Sequence, residues 1–112
     1  MDDGWFGDKY PRKNDSSSLG DWVVDKNKLP NGIEGLLSDA KKHGVKFGIW
    51  IEPEMANTTS ELYEKHPDWV LKASERDVVL GRGGTQVVLD LANPAVQDFV
   101  FGVVDNLMTS YP

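Results

Sequence analysis

Lys46-Phe47-Gly48-Ile49-Trp50-Ile51-Glu52-Pro53-Glu54-Met55 is the stretch whose reading decides the fold. Residues 47 to 51 are apolar or glycine with no polar alternation, which suits a strand covered on both faces in a parallel sheet flanked by helices. Pro53 has no N–H for a ladder, so pairing is expected to stop there. The predicted strand covers 45–51, and Glu52 and Glu54 fall at its carboxyl end. That is the end at which α/β folds bind ligands.

Upstream, Ile33, Leu36, Leu37 and Ala40 repeat at three and four, Lys41-Lys42-His43 close the pattern, and Gly44 follows as a C-cap. This predicts an amphipathic helix over 33–43. Downstream, Val87-Val88-Leu89-Asp90-Leu91 reads as a second buried strand, 87–91, again with an acid near its carboxyl end. Asn93 is an N-cap with Pro94 at N1, and Val96, Phe99, Val100, Val103, Val104, Leu107 and Met108 line one face of a helix over 94–109. Strand, helix, strand, helix with short returns argues for an α/β chain of parallel βα units, with both helices on one face of a curving sheet.

The connections carry weaker signals. Ala56 to Ser60 offers N-cap oxygens for a short helix through Glu61, Leu62 and Tyr63, ended by Pro67, and Trp69-Val70-Leu71 pairs briefly. Ser74 to Thr85 reads as a long ligand-side loop. Asp8 to Gly20 is polar and reads as a surface loop with nothing to build a core. Asp21 to Asp25 is a short extended segment.

A closed (β/α)8 barrel needs about 250 residues, so 112 residues accommodate only a few βα units. The expected architecture is a fragment of a (β/α)8 TIM barrel. It forms one partial domain over 1–112, with Met1 ending a cut strand before Asp2 and a further strand due after Pro112. With 12 basic and 18 acidic residues the formal charge is −6. That sign opposes a nucleic-acid backbone and excludes nucleic acid as an expected partner. No run of 18 apolar residues offers a membrane span, and no charged stretch followed by an apolar one opens the chain as an export signal. The absence of cysteine removes disulfides and thiol chemistry from this segment and leaves the compartment open.

The candidates for chemistry each have a bland alternative. Asp2 and Asp3 are adjacent carboxylates able to hold two sugar hydroxyls, or simply a capped turn. Trp50 is either core or a stacking wall beside a sugar. Glu52 and Glu54 lie on one side of an extended segment, where they could serve as acid and nucleophile, bind a cation, or orient neighbouring donors. An oxygen-ligand Mg²⁺ or Ca²⁺ site with Asp2 and Asp3 has no EF-hand spacing behind it. His43 and His66 lack ligand partners at metal spacing, so no metal or cofactor is expected. Gly81, Gly83 and Gly84 lack the lysine of a phosphate cradle, and Asp90 reads as structural.

Five ordered blocks carry a resemblance: Asp2-Asp3-Gly4-Trp5-Phe6-Gly7, Leu19-Gly20-Asp21-Trp22-Val23-Val24-Asp25, Lys28-Leu29-Pro30-Asn31-Gly32, Phe47 to Met55, and His66-Pro67-Asp68-Trp69-Val70. Together they resemble the catalytic barrel of bacterial family 36 α-galactosidases over nearly the whole chain. The resemblance implies a retaining hydrolase that removes terminal α-galactose from melibiose- or raffinose-type oligosaccharides. It implies that Asp2 and Asp3 bind galactose hydroxyls, that Trp50 walls the pocket, and that Arg82 reaches the sugar. The family pattern has Asn-Gln directly after that arginine, whereas Gly83-Gly84-Thr85 intervene here before Gln86. The family nucleophile lies in a Lys-Trp-Asp motif that is absent from these 112 residues. Retaining hydrolysis needs two carboxyl groups roughly 5 Å apart, so the implied division is sugar-binding residues here and no catalytic residue. The implied partners are a galactoside substrate and other copies: a homo-oligomeric parent, and self-association of the 112 residues through exposed sheet edges. The alternative is a carbohydrate-binding or interaction module using Trp5, Trp22, Trp50 and Trp69 as platforms, and a metal-dependent lyase or isomerase is the more distant one.

Overall fold

The computed structural model describes residues 1–111. The first helix, α1, spans Gly32–Lys42 and ends at Gly44, whose φ of +65° is the left-handed conformation glycine adopts at no steric cost. A three-residue strand β1 covers Met55–Asn57, and a short helix α2 covers Glu61–Lys65, with Ser60 Oγ accepting from the N–H of Tyr63. Pro67–Trp69 and Arg82–Gly84 are single 3₁₀ turns. Strand β2, Gln86–Val88, precedes the long helix α3, Pro94–Ser110, where Asn93 Oδ1 caps the N–H of Ala95. Both long helices thus stand within one residue of the bounds that periodicity and caps predict.

The sheet departs from expectation. Among the described residues the only ladder is antiparallel, β1 against β2, with Met55 opposite Val88, Ala56 opposite Val87 and Asn57 opposite Gln86. The predicted parallel pairing of 45–51 with 87–91 does not form. No ladder precedes Pro53; the chain turns at residues 53–54 and only then enters β1, which occupies the edge of residues 86–88. Residues 45–51 carry no ladder. Their one strand-like contact is with Met1, whose amino group donates to Gly48 O while the N–H of Trp50 donates to Met1 O at 2.9 Å, the bonding pattern of a parallel bridge around Ile49. Phe47, Ile49, Trp50 and Ile51 are half-buried rather than covered on both faces, and Val45 is exposed. The brief pairing expected near Val70 is present as a bridge to Leu89.

Two apolar clusters hold the molecule. Ala56, Leu62, Val70, Val87, Leu89 and Val96 join β1, α2, β2 and the start of α3. Trp5, Phe6, Leu19 and Ile33 form the other, packed against Trp22, Leu37, Phe47, Ile49, Trp50 and Leu107, so α1 and the end of α3 meet beside residues 47–49. Only Val96 of the α3 stripe is fully buried, and Phe101 (70% exposed) and Met108 (69%) face outward. The radius of gyration is 15.3 Å, with extents of 55 × 27 × 20 Å. A compact domain of this length would measure about 13 Å.

Residues 8–20 correct the expectation of a loop without a core. Leu19 is fully buried, and Arg12 and Ser18 are buried with it. Gly7 sets this course: its φ is +110°, and a Cβ there would lie 2.5 Å from Tyr10 O. Asp21 then accepts the N–H groups of Glu61 and Leu62, capping α2 from a distant part of the chain.

Candidate functional site

Asp3 lies two residues after Met1, which pairs with residues 48–50, and its carboxylate meets Arg12 in a two-pronged contact. Arg12 Nε donates to Asp3 Oδ1 and Nη2 to Oδ2, each at 2.9 Å. This hydrogen-bonded ion pair holds the Asp3 carboxyl below the usual carboxylate range, with further help from the charge of Arg12. Asp2 is exposed and enters none of the ion pairs among the described residues.

The charged chain continues past Arg12. Asp15 stands between two arginines, its Oδ1 3.6 Å from Arg12 Nη2 and its Oδ2 3.5 Å from Arg82 Nε. Arg82 is itself exposed, on the 3₁₀ turn before β2. Glu52 lies in the field of the same groups. Partial burial, then the negative charge of Glu54, push its carboxyl above the ordinary value, while Arg12 and Arg82 oppose the rise. Asp3 and Arg82, far apart in sequence, therefore share one rim with Arg12 and Asp15, and Glu52 feels the charge of both arginines.

Trp50 joins this rim through Phe6. The Phe6 ring lies stacked with Trp50 at 6.3 Å between centroids, and the Arg12 guanidinium sits 5.6 Å from the Phe6 centroid. Trp5 Nε1 donates to Trp50 O at 3.0 Å and fixes the backbone beside it. Trp50 is half-buried, leaving part of the ring accessible. The tryptophans do not form a row of exposed platforms. Trp5 is 3% exposed, Trp22 packs 4.5 Å from Phe6, and Trp69 lies between His66 at 3.8 Å and Phe99 at 5.7 Å.

Several residues of the site escape reading from the sequence. Asn57 is fully buried and makes four contacts: Oδ1 accepts from Arg12 Nη1 at 3.0 Å and from the N–H of Leu19 at 2.9 Å, while Nδ2 donates to Asp15 O at 3.0 Å and Thr85 Oγ1 at 3.2 Å. It ties residues 8–20, β1 and the Arg82 turn together. A lone arginine in a polar stretch just after an acidic pair is the one sequence signal that points to this network. Asp90 Oδ1 accepts from the N–H of Ala92, in the turn before α3. His66 stacks on Trp69, and among the described residues no three His, Asp or Glu side chains converge as a cation site.

The Melibiase family model matches residues 1–112. The chain belongs to the Melibiase family. It is 47% identical over 98% of its length to the probable α-galactosidase C of Aspergillus flavus, and 46% identical over its whole length to α-galactosidase AgaA of Geobacillus stearothermophilus. Its fold is similar to that of the family 36 α-galactosidase AgaA in complex with raffinose, with a TM-score of 0.88 and 45% identity over the whole chain. A more distant relative, TtGalA of Thermus thermophilus in complex with stachyose, is 28% identical over 96% of the chain with a TM-score of 0.77, and the chain covers 22% of it. The chain spans about 15% of the length of the A. flavus and AgaA relatives.

Proposed function

We propose that these residues form part of the catalytic (β/α)8 barrel of an α-galactosidase that hydrolyses terminal α-galactosyl groups of raffinose- or melibiose-type oligosaccharides with retention. In this reading Asp2, Asp3, Trp50 and Arg82 contact the galactosyl unit. The nucleophile and the acid/base are supplied by chain beyond these 112 residues, so the isolated segment is inactive. The observation that carries the reading is the Asp3 carboxylate: ionised, held in a fixed plane by Arg12, and still partly open to solvent. A carboxylate has about four acceptor positions, so one that gives two to an arginine keeps others for hydroxyl donors. Trp50 and Arg82, connected to the same rim, add an apolar face and a cation, the combination that orients a polar ring. Relatives that share this fold have been captured with raffinose and stachyose.

The uncovered face of α3 and the single bridge at residues 48–50 support a barrel part rather than a module with its own closed core. They also support self-association of the isolated segment. The parent enzyme is read as a homo-oligomer.

The test is made in the full-length enzyme with a nitrophenyl α-galactoside. A hydrogen bond from a substrate hydroxyl to a charged acceptor contributes about 1.5–3 kcal/mol, so Asp2→Asn and Asp3→Asn each lose roughly ten- to a hundredfold in kcat/KM. Near-normal kinetics of both variants contradict the sugar-binding role.

A further inference from the structure

Arg12 is the one buried cation among the described residues, 6% exposed, and every donor of its guanidinium is directed at a protein acceptor. Nε and Nη2 take the two oxygens of Asp3, Nη1 takes Ser17 O at 2.9 Å and Asn57 Oδ1 at 3.0 Å, and the remaining Nη2 direction faces Asp15. Four of its five donors are hydrogen-bonded within the protein and the fifth lies 3.6 Å from Asp15, so the buried fork is engaged by the protein rather than presented to a ligand. Its orientation is in turn fixed from behind by Asn57, whose amide is saturated by Leu19, Asp15 and Thr85. A planar, rigid donor held on one side by a buried amide imposes a plane and a rotamer on the carboxylate it grips on the other side.

We infer that Arg12 is a positioning residue for the bound sugar. It does not touch substrate but sets the orientation of Asp3, and through Asn57 and Asp15 it places that acid in register with the Arg82 turn. The inference rests on the sugar-binding reading of Asp3. The coupling to Arg82 has two supports besides the ion pair with Asp15: the Thr85 hydroxyl accepts from Asn57, and Thr85 O accepts from the N–H of Thr58 at 2.8 Å. The lowered titration of Asp3 accords with this grip, since it keeps the acid an acceptor across the range in which free carboxylates become protonated.

Arg12→Lys in the full-length enzyme keeps a cation in the pocket but replaces the fork with a point charge. The expected result is a KM for nitrophenyl α-galactoside, and an inhibition constant for free galactose, raised by about tenfold, the loss of one charge-assisted hydrogen bond's worth of alignment. The thermal midpoint also falls, since Ser17 O and Asn57 Oδ1 lose donors in a buried setting, so the galactose inhibition constant is the readout that decides. Because Arg12 acts through Asp3, Arg12→Lys combined with Asp3→Asn should be no weaker than Asp3→Asn alone. A purely structural arginine would lower the midpoint and add to Asp3→Asn without changing galactose affinity.

The outcomes separate the two readings. Weak galactose binding by Asp3→Asn together with normal binding by Arg12→Lys overturns the positioning role and leaves the role of Asp3 standing. Normal binding by Asp3→Asn removes both. If Arg12→Lys does not accumulate folded, Arg12→Gln is measured in its place. Failure of both to fold, with Asp3→Asn folded, makes Arg12 a folding residue and overturns the inference.

Discussion

The two halves of this molecule are finished to different degrees. Around Arg12, Asp21 and Asn57 the buried polar groups find partners within the chain, Ser18 Oγ and Trp22 Nε1 excepted: Asn57 makes four hydrogen bonds, Arg12 grips Asp3, and Asp21 caps α2. Along residues 45–51 and the outer side of α3 the reverse holds. There a run of apolar side chains is formed but left half-covered, with Phe101 and Met108 about 70% exposed and a backbone bridged only to Met1. The loops bearing the candidate site are locked by contacts among themselves, whereas residues 45–51 and the outer side of α3 are left uncovered within the described residues. A barrel has this division, since its strands need partners on both edges while its ligand-side loops can brace one another.

Breaking the locked half should have the largest effect. Asn57→Ala removes one of the two acceptors of Arg12 Nη1, leaving Ser17 O, and strands the Leu19 N–H in a buried setting. The expected loss in the full-length protein is about 3–5 kcal/mol, read from denaturant unfolding. A loss below 1 kcal/mol would show that water replaces the amide and that the hub is not rigid. Asp21→Ala is the next largest. It leaves the N–H groups of Glu61 and Leu62 uncapped and should cost about 1–2 kcal/mol, with hydrogen exchange at those two amides rising first. Asp21 also titrates above the ordinary value because burial outweighs its two N–H bonds. A raised carboxyl favours the fold below its unfolded pKa and loses that contribution as pH rises through the folded one, so the penalty of the alanine substitution should shrink toward neutral pH.

A smaller effect sharpens the same comparison at the site itself. Asp3 is depressed by Arg12 and Glu52 is raised by burial and Glu54, so on acidification Glu52 should take up its proton first. For Asp3 the contribution to stability is present above its unfolded pKa, near 3.8, and is lost only as pH falls through its lower folded value. Carboxyl carbon NMR titration of both residues reads the order directly. Titration of Asp3 at or above Glu52 would contradict the grip of Arg12.

How much was legible in the sequence follows the same line. Helices α1 and α3 are marked by local signals, the three-and-four repeat, Asn93-Pro94 and Gly44, and each stands within a residue of its expected bounds. A brief pairing within 69–71 and an N-cap within 56–60 are also readable, without the partner Leu89 or the choice of Ser60 that the structure gives them. The strand over 45–51 was not, because an apolar run records what a strand would bury and not whether an edge is there to receive it. Residues 8–20 misled for the opposite reason. Their polar composition resembles a solvated loop, and only the partners of Arg12, thirty or more residues away at Asn57, turn it into buried structure. At the site, the residue types at Asp3 and Arg82 were visible and the Arg12, Asp15 and Asn57 that hold them were not. Hydrogen-bonded networks between distant segments leave no periodicity to read.

The central claim is that residues 1–112 are a section of a larger barrel whose strands and helices need covering. Sedimentation equilibrium of the purified segment at micromolar concentration tests it most directly, with denaturant unfolding followed on the same samples. The account predicts association that grows with concentration and a broad, weakly cooperative unfolding transition, as exposed apolar faces and unpaired edges find partners in other copies. A compact monomer with a single sharp transition would contradict it.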